Sequence, residues 1–292
     1  MLKEQHEGAR ETMEVIEMEV IEICRMVVRS LVSEIGPWGN RCAFFGGLIP
    51  GLLVPVPQEP LSPHIGTRDI DLAIRVAAIG DEQEMYRTLK NNLATLQLVQ
   101  TSDRTFEWKR MVEGFEVIVE LFVPVGDPSQ GGRIQKKPIE QGGSTLTALG
   151  IYGLDLIERD IQEIEDEGPL LDGKGVKKVT LRVCGPAILM GLKAWALHDR
   201  NKSKDGYDVV WILKAYGPDA VAARFRSAGL HETGFGQQAI TFLKESFETY
   251  EHTGPVGWAV ESQFQGDERI REMREATGIV REFVRLAQGQ SS

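Results

Sequence analysis

The 292-residue chain lacks the features that mark secreted, disulfide-stabilised or membrane-spanning proteins. Its three cysteines, Cys24, Cys42 and Cys184, are scattered and form no CxxC pair. This pattern argues against a disulfide framework and against a zinc site, and it favours a reduced cytosolic setting. The N-terminus is highly charged, and no run is long and apolar enough to cross a bilayer. We therefore expect a cytoplasmic protein with no membrane partner.

The chain also lacks an excess of basic residues. Its formal net charge is −10, which argues against a broad basic surface that wraps nucleic acid but leaves room for a local basic site. Hydrophobic residues make up 42% and charged residues 26%, as in ordinary soluble globular proteins. The length suggests one or two domains.

Hydrophobic periodicity predicts an α/β front half and a helical back half. Helices are predicted over residues 11–34 and 81–96, and the pattern is helical from Gly185 almost to the end. Strands are predicted at RCAFFGG (41–47), at 97–101, 105–112 and 114–124, and at KKVTLRV (177–183). We place the boundary after residue 145, which gives an N-terminal domain of residues 1–145 and a mostly helical domain of residues 146–292.

Two aspartates stand one residue apart in the predicted strand HIGTRDIDLAIRV, residues 64–76. Side chains alternate along a strand, so Asp69 and Asp71 share one face while Ile70, Leu72 and Ile74 share the other. Carboxylates are rare inside strands, and two like charges this close need compensation. Magnesium, a hard cation that takes carboxylate oxygens, would supply it.

A third carboxylate is available in the strand GFEVIVELFVP, residues 114–124. Glu116 and Glu120 share one face of this strand, opposite an apolar face that includes Val117 and Val119. Glu120 is the more deeply placed of the two, and either could be the third ligand of a two-metal site.

These pieces resemble the polymerase-β-like nucleotidyltransferase superfamily. The resemblance rests on a strand that ends in Gly46-Gly47, on TRDIDL, and on an acidic residue in VELF. The segment GPAILMGLKAWALHDRNKSKDGYDVVWIL, residues 185–213, also resembles the helical motif of the AbiEii/AbiGii-type family, in which a lysine is followed by an arginine and a Lys-Asp-x-x-Asp run. Here the proline-rich stretch before Asp69 is longer than is usual in the family, and Gly47 replaces a common serine.

The resemblance implies a catalytic domain with a mixed β-sheet followed by a helical domain. It implies that Asp69, Asp71 and Glu120 are catalytic and hold Mg²⁺, with two ions expected. The residues that it implies for nucleotide binding are Gly46, Gly47, Thr67, Arg68, Lys193, Arg200, Asp205 and Asp208. Asp205 and Asp208 share a helix face, and we expect them to fix the basic residues through salt bridges.

The expected activity is Mg²⁺-dependent transfer of a nucleoside monophosphate from an NTP to an acceptor, with release of pyrophosphate. The family implies a toxin- or phage-defence-like enzyme that acts on tRNA, other RNA or a protein, and it raises the possibility of a cognate antitoxin. Two alternatives stay open. One is an antibiotic-type transferase with a small-molecule acceptor, and the other is a catalytically silent protein that binds a nucleotide or a partner.

Overall fold

The computed structural model describes residues 20–74, 82–135 and 146–289. Parts of the predicted helices at 11–34 and 81–96 and of the loop at 125–146 lie outside the described residues, as does the end of the strand at 64–76. The chain divides into two compact units. The first takes the described residues of Met1–Leu52, Ile65–Asp155 and Gln162–Val183, and the second those of Leu53–His64, Leu156–Ile161 and Cys184–Ser292.

The first unit is built on a mixed sheet, which has nine strands in the described residues. The strands are β1 Cys42–Phe45, β2 Asp69–Ile74, β3 Val99–Gln100, β4 Glu107–Val112, β5 Phe115–Val125, β6 Ile134–Gln135, β7 Ala148–Tyr152, β8 Ile161–Pro169 and β9 Val176–Cys184. The main path runs β3-β4-β5-β2-β1-β9-β8, with β7 beside β5 and β6 beside β7.

The long strand β5 lies at the middle of this sheet. It pairs with β2 in parallel on one side. On its other side it pairs first with β4, antiparallel, and then with β7, parallel. Strand β2 in turn pairs antiparallel with β1. The result is that the polar residues of β2, β5 and β4 stand side by side, with the apolar strand β1 next to β2.

The first unit also contains helices. Helix α1 occupies residues 20–35 of the described chain, α2 is Ile49–Leu53 and α3 is Glu82–Thr95. Helix α1 buries Cys24, Val27 and Leu31 at helical spacing. It also buries Arg29, whose Nη1 donates to Asp166 on β8 at 2.9 Å, so this buried charge is paired.

The second unit is a helical assembly. Its helices are α4 Pro186–Arg200, α5 Ser203–Tyr216, α6 Pro218–Ser227, α7 Gly234–Ser246, α8 Thr253–Glu261 and α9 Gly266–Ala287. Trp211, Phe225, Phe235 and Phe283 are fully buried in its core. The proline-rich segment Leu53–His64 belongs to this unit, because Trp211 Nε1 donates to the Ser62 carbonyl at 3.0 Å.

The predicted fold class is confirmed: a mixed-sheet domain is followed by a helical region. The division of the chain differs from the boundary expected after residue 145. Strand β9 pairs in parallel with β1 through Phe44 and Val183, so the first unit continues to Val183. Among the described residues, no helix is both long and apolar enough to span a membrane.

Candidate active site

Strands β2 and β5 bring two of the predicted carboxylates side by side. In their parallel register Asp71 is opposite Glu120, and Asp69 is opposite Ile118. The intervening residues Ile70 and Leu72 are fully buried, whereas Asp69 is exposed and Asp71 is half-buried. The alternation that places Asp69 and Asp71 on one polar face is therefore present in the structure.

Glu120, rather than Glu116, is the glutamate that lies beside Asp71. The Glu120 side chain is 15% exposed, whereas that of Glu116 is 45% exposed and pairs with Lys109 at 3.2 Å. Since the two glutamates are four residues apart on one strand, only one of them can stand opposite Asp71. The register selects Glu120.

Gly46 leaves room for the carboxylate of Asp71. Strand β1 ends at Phe45, which pairs with Asp71, and Gly46 begins the 3-10 turn Gly46–Leu48. Gly46 has a φ of +80°, and a Cβ there would overlap Asp71 Oδ2 and lie 2.7 Å from Asp71 Cγ. A glycine is required at this position both by backbone conformation and by space. Gly47 follows it and is buried.

A fourth carboxylate and an arginine complete the polar face, and sequence reasoning missed both. Glu107 on β4 is opposite Glu120 in the antiparallel register and is buried. Arg104 forms ion pairs with both glutamates, with its Nη2 3.1 Å from Glu120 Oε1.

The dipeptide Glu113-Gly114 is the feature of the sequence that could have predicted the position of Glu107. The residues Glu113 and Gly114 both have positive φ and form a two-residue turn between β4 and β5. Such a turn fixes the register of a hairpin. Counting back from it places Glu107 opposite Glu120.

The pKa of Glu120 is shifted by burial and by the acidic side chains that surround it. Burial, together with the charges of Asp71 and Asp69 and a hydrogen bond with Glu107, raises the pKa of Glu120 to about 8. Arg104 opposes this rise only in part. The site therefore concentrates more negative charge than its own arginine balances, which is the condition that a bound cation relieves.

The side chains at this site carry carboxylate oxygens, which are the kind of ligand that magnesium prefers. Within the part of the chain that the structure describes, no three acidic, histidine or cysteine side chains are already gathered as a metal-binding group. Magnesium usually takes only one or two carboxylates and completes its shell with water and substrate phosphates. Asp69 and Asp71, with Glu120 adjacent, offer the oxygen ligands that such a site needs.

Thr67 and Arg68 stand at the entrance to β2. The Thr67 hydroxyl accepts a hydrogen bond from the Asp69 amide at 3.1 Å, which fixes the first residue of the strand. Arg68 is exposed, and its guanidinium lies 6.0 Å from the centre of the Phe115 ring. An exposed arginine at this point is available to an anionic ligand.

The four predicted residues of the helical motif lie together in the second unit. Asp205 bridges the two cations, 3.2 Å from Lys193 Nζ and 2.8 Å from Arg200 Nε. Asp208 lies 2.5 Å from Lys193 Nζ. Lys193 is buried, whereas the Arg200 side chain is 52% exposed. The two aspartates are therefore paired with these cations, and Lys204 adds a further positive charge that acts on Asp208.

His64 joins this cluster and was not identified from the sequence. Its Nε2 lies 2.8 Å from Asp208 Oδ1, and its ring packs against Tyr207 and Trp211. Burial lowers the pKa of His64, so the neutral ring donates its Nε2 proton to Asp208. Burial alone would raise the pKa of Asp208, but Lys193 and His64 hold it well below its usual range.

Comparison with protein families identifies the chain. Residues 66–253 match the family model described as nucleotidyl transferase AbiEii toxin of type IV toxin-antitoxin systems. The match covers well over half of the sequence. The chain belongs to this family. No curated protein matches it in sequence.

The AbiEii match spans both groups of polar residues. It begins just before Thr67 and includes Asp69, Asp71 and Glu120, and it continues through the cluster around Lys193. Gly46 and His64 lie outside the matched residues. Each of them nevertheless contacts a matched residue, Gly46 through Asp71 and His64 through Asp208.

Proposed function

We propose that this AbiEii-family nucleotidyltransferase moves a nucleoside monophosphate from an NTP to an RNA or protein acceptor. The observation that carries the proposal is the register that sets Asp71 opposite Glu120, with Asp69 on the same face. A silent binding protein would have no need to set two acidic residues opposite each other on neighbouring strands, with a third on the same face, against their mutual repulsion.

Asp69, Asp71 and Glu120 would hold the Mg²⁺ ions. When bound, Mg²⁺ neutralises charge on the triphosphate and on the departing pyrophosphate. In the transfer, an acceptor oxygen forms a bond to the α-phosphorus while the bond to the β-phosphate oxygen breaks. Glu120, once ionised, would act either as a metal ligand or as the base that takes the proton of the acceptor hydroxyl.

The remaining residues of the first unit would orient the nucleotide. The backbone at Gly46 and Gly47 carries no Cβ, so its N–H groups can approach phosphate oxygens closely. Thr67 and Arg68 stand at the start of β2, where an exposed hydroxyl and guanidinium suit the same ligand.

We also propose that nucleotide binding involves four residues of the second unit: Lys193, Arg200, Asp205 and Asp208. Arg200 is the half-exposed member, so it is the cation best able to reach a ligand. Arg200→Gln should weaken binding of a non-hydrolysable NTP analogue. Arg271→Gln serves as a control, because Arg271 is an exposed arginine on α9 whose partners are Glu268 and Glu272. Equal affinities in the two variants would show that Arg200 does not bind the nucleotide.

The toxin family makes a cognate antitoxin an expected partner. It also favours a macromolecular acceptor over a small hydroxylated compound, since a toxin acts on a cellular target.

The decisive experiment follows the α-phosphate. The protein is incubated with Mg²⁺, each NTP labelled at the α-position in turn, total RNA and total protein. Label should pass to one acceptor class with wild type and be lost with Asp71→Asn and Glu120→Gln. Glu116→Gln is the matched control, because Glu116 is on the same strand but remote from Asp71. Transfer of a γ-label instead would overturn the proposal, as would transfer that survives Asp71→Asn.

A further inference from the structure

Arg104 forms ion pairs with two glutamates of the candidate site, Glu107 and Glu120. It lies between β3 and β4, and its guanidinium contacts Glu107 through Nη1 and Glu120 through Nη2. The two glutamates are nearly buried, whereas the Arg104 side chain is 55% exposed. A solvent-exposed cation thus lies over one buried and one partly buried acid that face each other across neighbouring strands.

The backbone of Arg104 is fixed independently of this side chain. Its carbonyl accepts a hydrogen bond from the Thr101 hydroxyl at 2.6 Å and another from the Glu107 amide at 2.7 Å. The guanidinium also lies 4.8 Å from the centre of the Phe106 ring, and this cation–π contact does not depend on the glutamates. The side chain can therefore leave the glutamates without any change in the turn.

The contact with Glu120 is made to Oε1, on a carboxylate that the proposed function gives to the metal. Two cations at one carboxylate repel each other, so arginine and metal compete electrostatically for Glu120. We propose that Arg104 is a positioning residue: it holds Glu107 and Glu120 in place and gives up Glu120 when a divalent cation binds. This inference rests on the proposed function and adds a specific competitor to its metal site.

Binding of Mn²⁺ as a probe tests the inference without measuring activity. The free Mn²⁺ signal in electron paramagnetic resonance is titrated with nucleotide-free protein. Arg104→Gln should bind Mn²⁺ more tightly than wild type, by roughly three- to tenfold for a half-exposed competing charge. Arg104→Lys, which keeps the positive charge, should stay close to wild type.

The matched control is Lys109→Gln. Lys109 is also on β4, is half-exposed and pairs with a glutamate of β5, so the same charge is removed away from Glu120. Mn²⁺ affinity in Lys109→Gln should match that of wild type. Circular dichroism checks that each variant is folded, and Arg104→Ala gives a second test should Arg104→Gln be unstable.

The outcomes separate the inference from the function on which it rests. If Mn²⁺ binding requires Asp71 but is unchanged or weaker in Arg104→Gln, the inference fails and the proposed metal site stands. An equal gain in Lys109→Gln also overturns the inference, because the effect would then be one of overall charge. If Mn²⁺ binding is the same in Asp71→Asn as in wild type, the proposed function itself loses its metal site.

Discussion

Gly46 and Asp71 fit together so closely that no other residue can replace the glycine. A Cβ at Gly46 would overlap Oδ2 of Asp71, and the backbone there has a φ of +80°. The end of β1 is therefore shaped around one carboxylate of the neighbouring strand. This contact links the glycine pair of the sequence directly to the catalytic chemistry that we propose for Asp71.

The Gly46–Asp71 contact predicts the effect of Gly46→Ala. The added methyl group must displace the Asp71 carboxylate, and a displacement of about 1 Å at a reacting centre typically costs about 100-fold in rate. We expect nucleotide transfer to fall by roughly that factor or more. The rate of label transfer from an α-labelled NTP measures it.

Gly51→Ala is the control for this substitution. Gly51 lies in α2, and a Cβ there would meet nothing within 4 Å. Alanine at a helical position should slightly stabilise the protein and leave transfer unchanged. Equal activity in Gly46→Ala and Gly51→Ala would show that the position of the Asp71 carboxylate does not limit the reaction.

A second prediction concerns Glu120 and pH in metal-free protein. The pKa of Glu120 is raised from 4.5 to about 8 in the folded protein, so folding favours its protonated form. Its contribution is fully present below pH 4.5 and is lost as the pH rises towards 8. Glu120→Gln cannot ionise. The free energy of unfolding of this variant, relative to wild type, should therefore increase between pH 5 and 8.

Chemical denaturation in EDTA at several pH values measures this difference. Adding Mg²⁺ at pH 8 should stabilise wild type more than Glu120→Gln, because only wild type gains a carboxylate ligand. A difference between the two proteins that does not vary with pH would contradict the raised pKa of Glu120.

The parts of the site that follow from local alternation were predictable from the sequence. The strand period places Asp69 and Asp71 on one face, and Glu116 and Glu120 on one face of the next strand. Choosing between Glu116 and Glu120 requires the register of β2 against β5. That register depends on contacts between residues almost 50 positions apart, which no local pattern contains.

Long-range contacts also explain what sequence reasoning missed. His64 meets Asp208 across 144 residues of chain. The sheet extends to β9 because Val183 pairs with Phe44, so the first unit ends later than composition suggested. No local pattern marks Arg104, and only the fold places it over two glutamates.

A third prediction concerns Asp160, which caps α4 from a distant turn. Its Oδ2 accepts a hydrogen bond from the Ala187 amide at 2.8 Å, and its Oδ1 accepts one from Arg224 Nε at 3.0 Å. Asp160→Ala leaves a helix N-terminus without its acceptor, and this should cost about 1–3 kcal/mol in the free energy of unfolding. Asp155→Ala, in the same turn but exposed, should cost little. Urea denaturation compares the two, and equal losses would exclude the capping role.

The last prediction concerns His64, whose buried ring lies among ionised side chains. Lys193 and Lys204 already place positive charge near this ring, so a proton on His64 would add a further buried positive charge. This agrees with the lowered pKa of His64, for which burial is the main cause. Stability from the neutral ring is present above pH 6.5, and it is lost as the pH falls through the folded pKa.

His64→Phe tests both the hydrogen bond and its pH dependence. Phenylalanine keeps a ring against Tyr207 and Trp211 but cannot donate to Asp208, so we expect a loss of about 1–3 kcal/mol at pH 8. This loss should shrink as the pH falls from 6.5 to 5, because only wild type is destabilised by protonation of His64 in the unfolded chain. His198→Gln, which removes a half-exposed histidine, is the control for the loss of one imidazole. A loss in His64→Phe that grows at low pH would mean that the folded protein holds His64 protonated, as an ion pair with Asp208.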